Sequence, residues 1–325
     1  MAALSDRFAD TPRASLIDLR DLQPEHLAPL LEEEIAAWRR SLDWDFNASA
    51  ELVRRFLQVR GLNGFALLEG AGRNTRVAGY SYYVVEDGKG LIGDFYVRET
   101  ARSLANENLL MEAVVDGMWK TPVRRVEAQL MMLSSYANRA APFLPRFRQY
   151  PRHFLQAPLP GPALAARAQP GIAIMPWSNQ LGEEAARLIA GSYQGHVDSR
   201  INDQYRSVGG ALRFLSNIVQ FPGCGLFFQP ASYAARDQNG VCGISLASLV
   251  ASDVGHITQL CVAPSQRGRS LGYELMRRSM VALAAHGCRS VTLTVTSSNA
   301  SALRLYQGMG FHPRRDFAAF VWEIA

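Results

Sequence analysis

The sequence predicts an α/β protein built from two tandem domains of the same kind. Its 325 residues exceed what one small core needs, so roughly two domains are expected. A stretch rich in proline divides the chain at 157–171, because proline interrupts both helices and central strands. On either side of that stretch, helical and strand patterns follow one another in the same order.

These observations set the predicted boundaries. Residues 1–14 are expected to be disordered, 15–156 to form the first domain, 157–171 the linker and 172–325 the second domain.

The second domain begins with helical patterns at 183–193 and 210–220. A strand is then predicted at 225–235, and the Asn-Gly pair that follows it favours a hairpin into the next strand. The remaining elements are, in order, strands at 241–250 and 256–262, a helix after the turn at 263–270, a strand at 291–295, a helix at 300–309 and a strand at 317–324.

The first domain has a similar series. Its predicted elements are helices at 27–40 and 50–60, strands at 64–70, 77–85 and 91–97, a helix at 104–119 and a strand at 124–132. At an offset of about 165 residues, Tyr96-Val97 falls on Cys261-Val262. We interpret the shared order of elements as a tandem duplication.

Composition restricts the function. Hydrophobic residues make up 48% and charged residues 19%, as in ordinary soluble globular proteins, and no apolar run is long enough to cross a bilayer. No signal-peptide pattern is present, so a cytoplasmic protein is predicted. The four cysteines form no CxxC pair and the six histidines no HExxH motif, so no metal site is expected. The net charge of +5 is spread along the chain, which argues against a nucleic-acid partner.

The stretch "VAPSQRGRSLGYELMRR" at 262–278 combines a strand end, a turn rich in Gly and Arg, and a helix. The start of a helix leaves backbone N–H groups unpaired and carries the positive end of the helix dipole, so it favours an anion. The alternative is a tight turn with solvated arginines.

Two motifs of this half resemble the GNAT superfamily of acyl-CoA-dependent N-acetyltransferases. The first is "LCVAPSQRGRSLG", which departs from the family pattern only in having Ser270 where a glycine is usual. The second is "SNASALRLYQGMGF", which matches the family stretch N-x-x-A-x-x-L-Y-x-x-x-G-F. The resemblance implies a mixed sheet with flanking helices in each domain. It covers 172–325 well and 15–156 only by the order of elements.

The resemblance also implies roles for individual residues. Acetyl-CoA is the expected cosubstrate and coenzyme A the product, with direct transfer and no acyl-enzyme. The strand "QLCV" would contact the thioester and pantetheine through the backbone of Leu260 and Val262, with Cys261 between them. The pyrophosphate would bind the turn of Arg267, Gly268, Arg269, Ser270, Leu271 and Gly272.

In the second motif, Tyr306 is the expected general acid for the coenzyme A sulfur, with a core aromatic as the alternative. Ala302 belongs to the same implied contact surface. Asn299 either caps its helix alone or caps it and also contacts the cofactor.

The first copy is expected to have lost this ligand. It has Ser103 and Glu107 at the positions of Gly268 and Gly272. A carboxylate there would repel a phosphate, and a side chain would prevent close approach of the backbone.

The general base is less determined. Many family members carry a glutamate where this chain has Thr258. His256 lies two residues earlier, on the same face of a regular strand, and is the candidate base; a solvated histidine is the alternative.

The acceptor site is predicted in the segment 193–207, between the first two helices of the second domain. A primary amine, free or at a peptide N-terminus, arrives protonated, so carboxylates could hold it and an arginine could bind an acidic group on the same molecule. The alternative is a solvated loop. The candidate substrate residues are His196, Asp198, Arg200, Asp203 and Tyr205.

The sequence therefore predicts an N-acetyltransferase whose second domain transfers acetyl from acetyl-CoA to an amine, with neither nucleic acid nor membrane as partner. The alternative is a non-catalytic protein that binds or senses acyl-CoA.

Overall fold

A computed structural model describes residues 14–70, 72–86, 88–133, 146–221 and 223–323. The prediction of disorder at 1–14 therefore falls, except for its last residue, outside the described residues. The chain divides into two compact units. The first comprises the described residues of Met1–Ala37, Ala50–Gln149 and Ala318–Ala325, and the second comprises those of Trp38–Ser49 and Tyr150–Phe317.

These units differ from the ranges 15–156 and 172–325 expected from the linker. The difference arises because a strand at Phe147–Pro158 pairs with Ser290–Thr296, which draws the residues before the proline-rich stretch into the second unit. The last strand, His312–Glu323, contributes its final residues to the first unit by pairing with Arg125–Gln129.

The elements before the proline-rich stretch agree closely with the prediction, and a strand at each end was not predicted. They are β1 Ser15–Asp18, α1 Pro24–Leu42, α2 Asn47–Gln58, β2 Gly64–Glu69, β3 Arg76–Glu86, β4 Lys89–Val97, α3 Leu104–Trp119, β5 Arg125–Gln129 and β6 Phe147–Pro158.

The elements after it are β7 Ala173–Pro176, α4 Gly182–Ser192, α5 Asp198–Ile201, α6 Val208–Gln220, β8 Leu226–Phe227, β9 Tyr233–Asp237, β10 Gly240–Ala251, β11 Val254–Val262, α7 Leu271–His286, β12 Ser290–Thr296, α8 Ala300–Gly308 and β13 His312–Glu323. The single strand predicted at 225–235 is wrong. Pro230 has no N–H for a sheet ladder, and a 3-10 turn at Gln229–Ala231 separates β8 from β9.

In the first unit the strands run β1-β2-β3-β4-β5, followed by the end of β13. Only β4 and β5 are parallel. The helix α3 covers one face and buries an apolar cluster that includes Phe95, Leu110, Val114 and Trp322. This is the mixed sheet with flanking helices that the sequence predicts.

In the second unit the strands run β6-β12-β11-β10-β9-β7, with only β11 and β12 parallel. Helices α4 and α6 pack on one face, against Ile244, Leu246 and Cys261. Helices α7 and α8 pack on the other face, against Val291 and Leu293. The sheet is thus covered on both sides, and the candidate functional site lies where β11 and β12 separate.

Candidate functional site

Strands β11 and β12 form a gap at their carboxyl ends. They pair from Val254 opposite Ser290 to Ile257 opposite Leu293, and no pairing continues beyond that point. On the other side of β11, the Ala263 N–H donates to the Cys242 carbonyl at 2.9 Å. Alternate residues of a strand direct their backbone groups to the same side, so the amides of Leu260 and Val262 face the gap. They are available to an extended ligand there.

The turn after β11 begins with a 3-10 segment at Pro264–Gln266 and ends where α7 starts at Leu271. Gly268 has φ +74° and Ser270 has φ +65°, and both lie in the left-handed region. Ser270 makes no capping hydrogen bond to the helix. Within the described part of the chain, no acceptor pairs with the backbone N–H groups of residues 268–273. The turn therefore presents a cradle of free amides at a helix N-terminus, the arrangement that binds phosphates.

Gly272 leaves room at this cradle. A Cβ at this position would lie 3.6 Å from Val262 Cγ2 and 3.7 Å from Leu305 Cδ2, which are ordinary contacts. The fold of the apoprotein therefore does not require a glycine here, and the small residue leaves the cradle open to a ligand.

The arginines of the turn are placed differently from one another. The Arg267 guanidinium donates to the backbone carbonyls of Ser192 at 3.0 Å and Val262 at 3.4 Å, so it braces the turn. Arg269 is exposed and donates to Gln266 Oε1 at 3.1 Å. We predicted both as pyrophosphate ligands; their side chains are bonded within the protein, whereas the backbone amides are free.

Arg167 is a basic residue at this turn that sequence reasoning missed. It comes from the predicted linker, donates to Ser270 Oγ at 2.8 Å and lies 4.0 Å from the Tyr273 ring centroid. Its position depends on a tertiary contact that no local pattern signals. It adds a positive charge beside the cradle.

The corresponding helix start in the first unit is closed by its own side chains. Ser103 is the N-cap of α3, in extended conformation, and its Oγ accepts from the Asn106 N–H at 3.1 Å. Asn106 in turn donates to the Ala101 carbonyl at 2.8 Å, and Glu107 is buried. The first unit thus has a carboxylate and a side-chain cap at the position where the second unit has free backbone amides.

Helix α8 carries the second motif and borders the gap. Asn299 is its N-cap, with Oδ1 accepting from the Ala302 N–H at 3.2 Å. Ala302 and Tyr306 pack in the apolar cluster beneath α7. Burial raises the pKa of Tyr306, with Asp198 raising it further and Arg152 lowering it, so its hydroxyl stays protonated. A buried, protonated phenol is suited to donating a proton.

The segment after α4 brings predicted substrate residues to the same place. The Asp198 carboxylate accepts from Thr296 Oγ1 at 2.5 Å, at the end of β12. His196 Nδ1 accepts from the Asp198 N–H at 3.1 Å, and its Nε2 lies 3.4 Å from Asn299 Nδ2. The segment therefore lies beside the motif of α8.

Two tyrosines continue this polar region. Tyr205 stacks on Tyr193 with ring centroids 4.4 Å apart, and Gln259 of β11 donates to the Tyr193 hydroxyl at 3.0 Å. Burial raises the pKa of both phenols. We call the following set the polar cluster: Arg152, Tyr193, Asp198, Tyr205, Gln259, Thr294 and Thr296.

Arg200 and Asp203 are placed less centrally. Arg200 is exposed on α5, and Asp203 is half-buried in the 3-10 turn at Asp203–Arg206. The arginine in the polar cluster is instead Arg152, which sequence reasoning missed because β6 was not predicted.

His256 lies in a different environment from the one expected of a base. It is buried, with Nδ1 2.8 Å from Thr292 Oγ1 and its ring centroid 5.2 Å from that of Trp44. Burial lowers its pKa to about 3, so it is a poor proton acceptor at neutral pH. In addition, Thr258 is a bulged residue, so the simple alternation between positions 256 and 258 fails. We therefore do not retain His256 as the base.

Cys261 faces α4 and α6 in the apolar cluster of that side. Burial raises its pKa to about 11, which disfavours a thiolate nucleophile. This agrees with direct transfer rather than a covalent intermediate.

The described residues include neither a membrane-spanning helix nor a cluster of metal-ligating side chains. No helix among them is both long and apolar enough to cross a membrane. No group of three or more His, Cys, Asp or Glu side chains in these parts of the chain is arranged to hold a metal ion.

Comparisons with known proteins agree with this geometry. Residues 210–311 match the model of the acetyltransferase (GNAT) family. A GCN5-related N-acetyltransferase from Sphaerobacter thermophilus superposes with a TM-score of 0.67 at 17% identity, covering 95% of each chain. A tandem GNAT protein from the clavulanic acid biosynthesis pathway gives a TM-score of 0.58 at 14% identity, covering 96% of this chain and 98% of that one.

A match to a curated sequence is shorter. The N-alpha-acetyltransferase MAK3 of Arabidopsis thaliana is 42% identical over 57 residues, which is 18% of this chain. The chain spans 30% of that relative's length. The second half therefore resembles the GNAT family over residues 210–311, and the chain has the fold of a tandem GNAT protein.

Proposed function

We propose that the second unit is an N-acetyltransferase that moves an acetyl group from acetyl-CoA to a primary amine by direct attack. The observation that carries this proposal is the cradle of free amides at 268–273, next to the gap between β11 and β12. A helix start with several unpaired amides favours a pyrophosphate, and the gap provides the path for an extended chain. The family match supports the same ligand.

Acetyl-CoA supplies an activated thioester. The amides of Leu260 and Val262 face the gap and donate to the pantetheine arm and the thioester carbonyl. Tyr306 remains protonated because it is buried, and it donates to the departing sulfur. In the balanced step, the bound ammonium first loses one proton to His196, and the freed lone pair of the nitrogen forms a bond to the acetyl carbon. The carbon–sulfur bond breaks, the sulfur takes the proton of Tyr306, and the second proton lost by the nitrogen restores the Tyr306 hydroxyl through solvent.

In this proposal Nδ1 of His196 takes the amine proton and gives up the hydrogen bond that it accepts from the Asp198 N–H. The ring is half-buried and lies near a carboxylate, with Nδ1 3.7 Å from Asp198 Oδ2. Its neighbour Asn299 places it at the start of α8. Asp198 holds the incoming ammonium group, because a carboxylate that accepts only one hydroxyl donor retains capacity for a second. Both residues come from the predicted acceptor segment.

We further propose that the first unit is a degenerate copy that binds no coenzyme A. The Ser103 cap and the buried Glu107 support this proposal, since they close the helix start that the second unit leaves open.

The experiment is a coenzyme A release assay against a panel of small primary amines and short peptides, run together with calorimetric titration of acetyl-CoA. Turnover that requires an amine, and that yields the N-acetylated product by mass spectrometry, is expected. Binding of acetyl-CoA with no turnover on any amine would instead favour the alternative, an acyl-CoA-binding or sensing protein without catalysis.

A further inference from the structure

Arg152 is a buried cation in the polar cluster. It lies on β6 directly opposite Thr296 of β12 and is 9% exposed. Its Nη2 donates to Thr294 Oγ1 at 3.1 Å, and its guanidinium carbon lies 5.9 Å from the Phe317 ring centroid. Among the described residues, its Nε has no hydrogen-bond partner and no carboxylate forms an ion pair with it. Of its five N–H donors, one is matched by these residues.

A buried charge is unfavourable unless it is paired, so an arginine in this state indicates an absent partner. The partner is negatively charged and accepts hydrogen bonds. The planar fork of a guanidinium matches a carboxylate by two parallel hydrogen bonds.

The surroundings place Arg152 on the acceptor side of the site. Leu293 and Val295 of β12 pack toward α7, so Thr294 and Thr296 face the opposite side of the sheet, as Arg152 does. The phosphate cradle belongs to α7. Arg152 is therefore on the sheet face opposite α7 and is not a ligand of the pyrophosphate.

Arg152 and Asp198 are brought together by Thr296, which stands opposite the first and bonds the second. Both charges also act on Tyr205 and Tyr306, with Asp198 raising the pKa of each phenol and Arg152 lowering it. A cation and an anion thus flank the same two hydroxyl groups.

We propose that the acceptor is an amino acid or a related amine that carries its own carboxylate, which Arg152 binds while Asp198 holds the amino group. This inference rests on the proposed acetyl transfer and names its substrate class. A carboxylate fits better than a phosphate, because a dianion would meet one cation and the nearby charge of Asp198. The sequence had assigned the binding of an acidic group to Arg200, which the structure leaves exposed.

The test compares each acid with its amide. Glycine and glycinamide, β-alanine and β-alaninamide, and 4-aminobutyrate and 4-aminobutyramide are pairs of similar size in which a neutral amide replaces the carboxylate, and they span three spacings. The wild-type enzyme should prefer at least one acid to its amide by about 10-fold or more in kcat/KM. In Arg152→Met this preference should fall to less than about 3-fold.

Two further variants control for structure. Arg152→Lys keeps the charge but loses the fork, and should retain part of the preference. Arg187→Met removes an arginine from the exposed face of α4, and should leave the preference unchanged. If Arg152→Met does not fold, as judged by its thermal transition, the comparison of Arg152→Lys with wild type decides.

The outcomes separate the two proposals. If amides or neutral amines are turned over as fast as their acids, the carboxylate assignment is overturned, whereas the proposal of acetyl transfer is supported. If no amine is turned over, calorimetry of N-acetylglycine and N-acetylglycinamide with coenzyme A present decides. Tighter binding of the acid that Arg152→Met abolishes would support the anion site without catalysis, and equal binding of the two would overturn it.

Discussion

Gly93 and Thr258 are the bulged residues of equivalent strands and lie 165 positions apart. In the first unit, Tyr82 pairs with Asp94 and Tyr83 with Ile92, so Gly93 is the extra residue. In the second, Leu246 pairs with Gln259 and Ala247 with Ile257, so Thr258 is the extra residue. The parallel pairing of β4 with β5 begins at Lys89–Arg125, and that of β11 with β12 begins at Val254–Ser290, again with the same offset. The duplication predicted from sequence is thus present down to a single irregular residue.

One coenzyme A molecule should bind per chain. Gly272→Glu places a carboxylate in the cradle and should weaken binding at least 100-fold, because it adds both charge repulsion and bulk. Gly209→Glu is the matched control, since a Cβ at Gly209 meets no atom within 4 Å and the residue is exposed on α6. Calorimetric titration checks both; a stoichiometry of two, or tight binding by Gly272→Glu, would contradict the prediction.

Tyr306→Phe should lower kcat by about 10- to 1,000-fold with little change in the affinity for acetyl-CoA. Only the hydroxyl is removed, and general acid catalysis contributes on this scale. The control is Tyr233→Phe, whose hydroxyl makes no hydrogen bond to the described residues. Single-turnover rates isolate the chemical step, and an unchanged rate there would remove Tyr306 from the mechanism.

His196→Gln should lower kcat/KM about 10- to 100-fold at neutral pH, because glutamine cannot accept the amine proton. The comparison is with His286→Gln, on the last turn of α7. Equal single-turnover rates for wild type and His196→Gln would exclude His196 as the base.

Asp198→Asn should raise the KM of the amine about 10-fold and leave that of acetyl-CoA unchanged. The amide cannot balance the ammonium charge, although it still accepts from Thr296. Asp253→Asn is the control, because Asp253 is a half-exposed partner of Arg289 outside the polar cluster. Equal KM values of the amine for wild type and Asp198→Asn would contradict this role and favour the alternative, a solvated loop.

His256 should affect stability rather than the pH profile of catalysis. Its pKa of about 3 lies below the value of roughly 6.5 in an unfolded chain, so the unfolded state binds the proton first as pH falls. Wild type should therefore lose stability between about pH 6.5 and 3 relative to His256→Gln. Thermal melts across this range test it, and parallel curves for the two proteins would be the contrary result.

Asp94 in the first unit should make the stability of the protein depend on pH in the opposite direction. Burial raises its pKa to about 6, although the Tyr80 hydroxyl donates to its carboxylate at 2.8 Å. Because the unfolded carboxyl ionises near ~3.9, the folded state holds the proton longer, and stability falls as pH rises from about 4 to 6. Asp94→Asn should lack this loss, which we expect to be about 1–3 kcal/mol in chemical denaturation. Identical pH dependence in the variant would refute the assignment.

The order of elements, the duplication and the turn at 267–272 could be predicted from the sequence alone. These are local: apolar periodicity sets each helix and strand, and the glycines and serine of 267–272 fix a turn whose geometry depends on its own residues. The helix at Leu104–Trp119 was predicted to the residue for the same reason.

Which side chains meet in the polar cluster depends on tertiary contacts. Arg152 and Thr296 are 144 positions apart and meet because β6 pairs with β12, a contact that no local pattern encodes. The spacing of His256 from Thr258 predicts that both face the candidate site. The structure instead buries His256 against Trp44 and Phe154, and the bulge at Thr258 breaks the alternation. A pKa and a binding partner depend on what surrounds a side chain in space, and strand pairing between distant segments sets those surroundings.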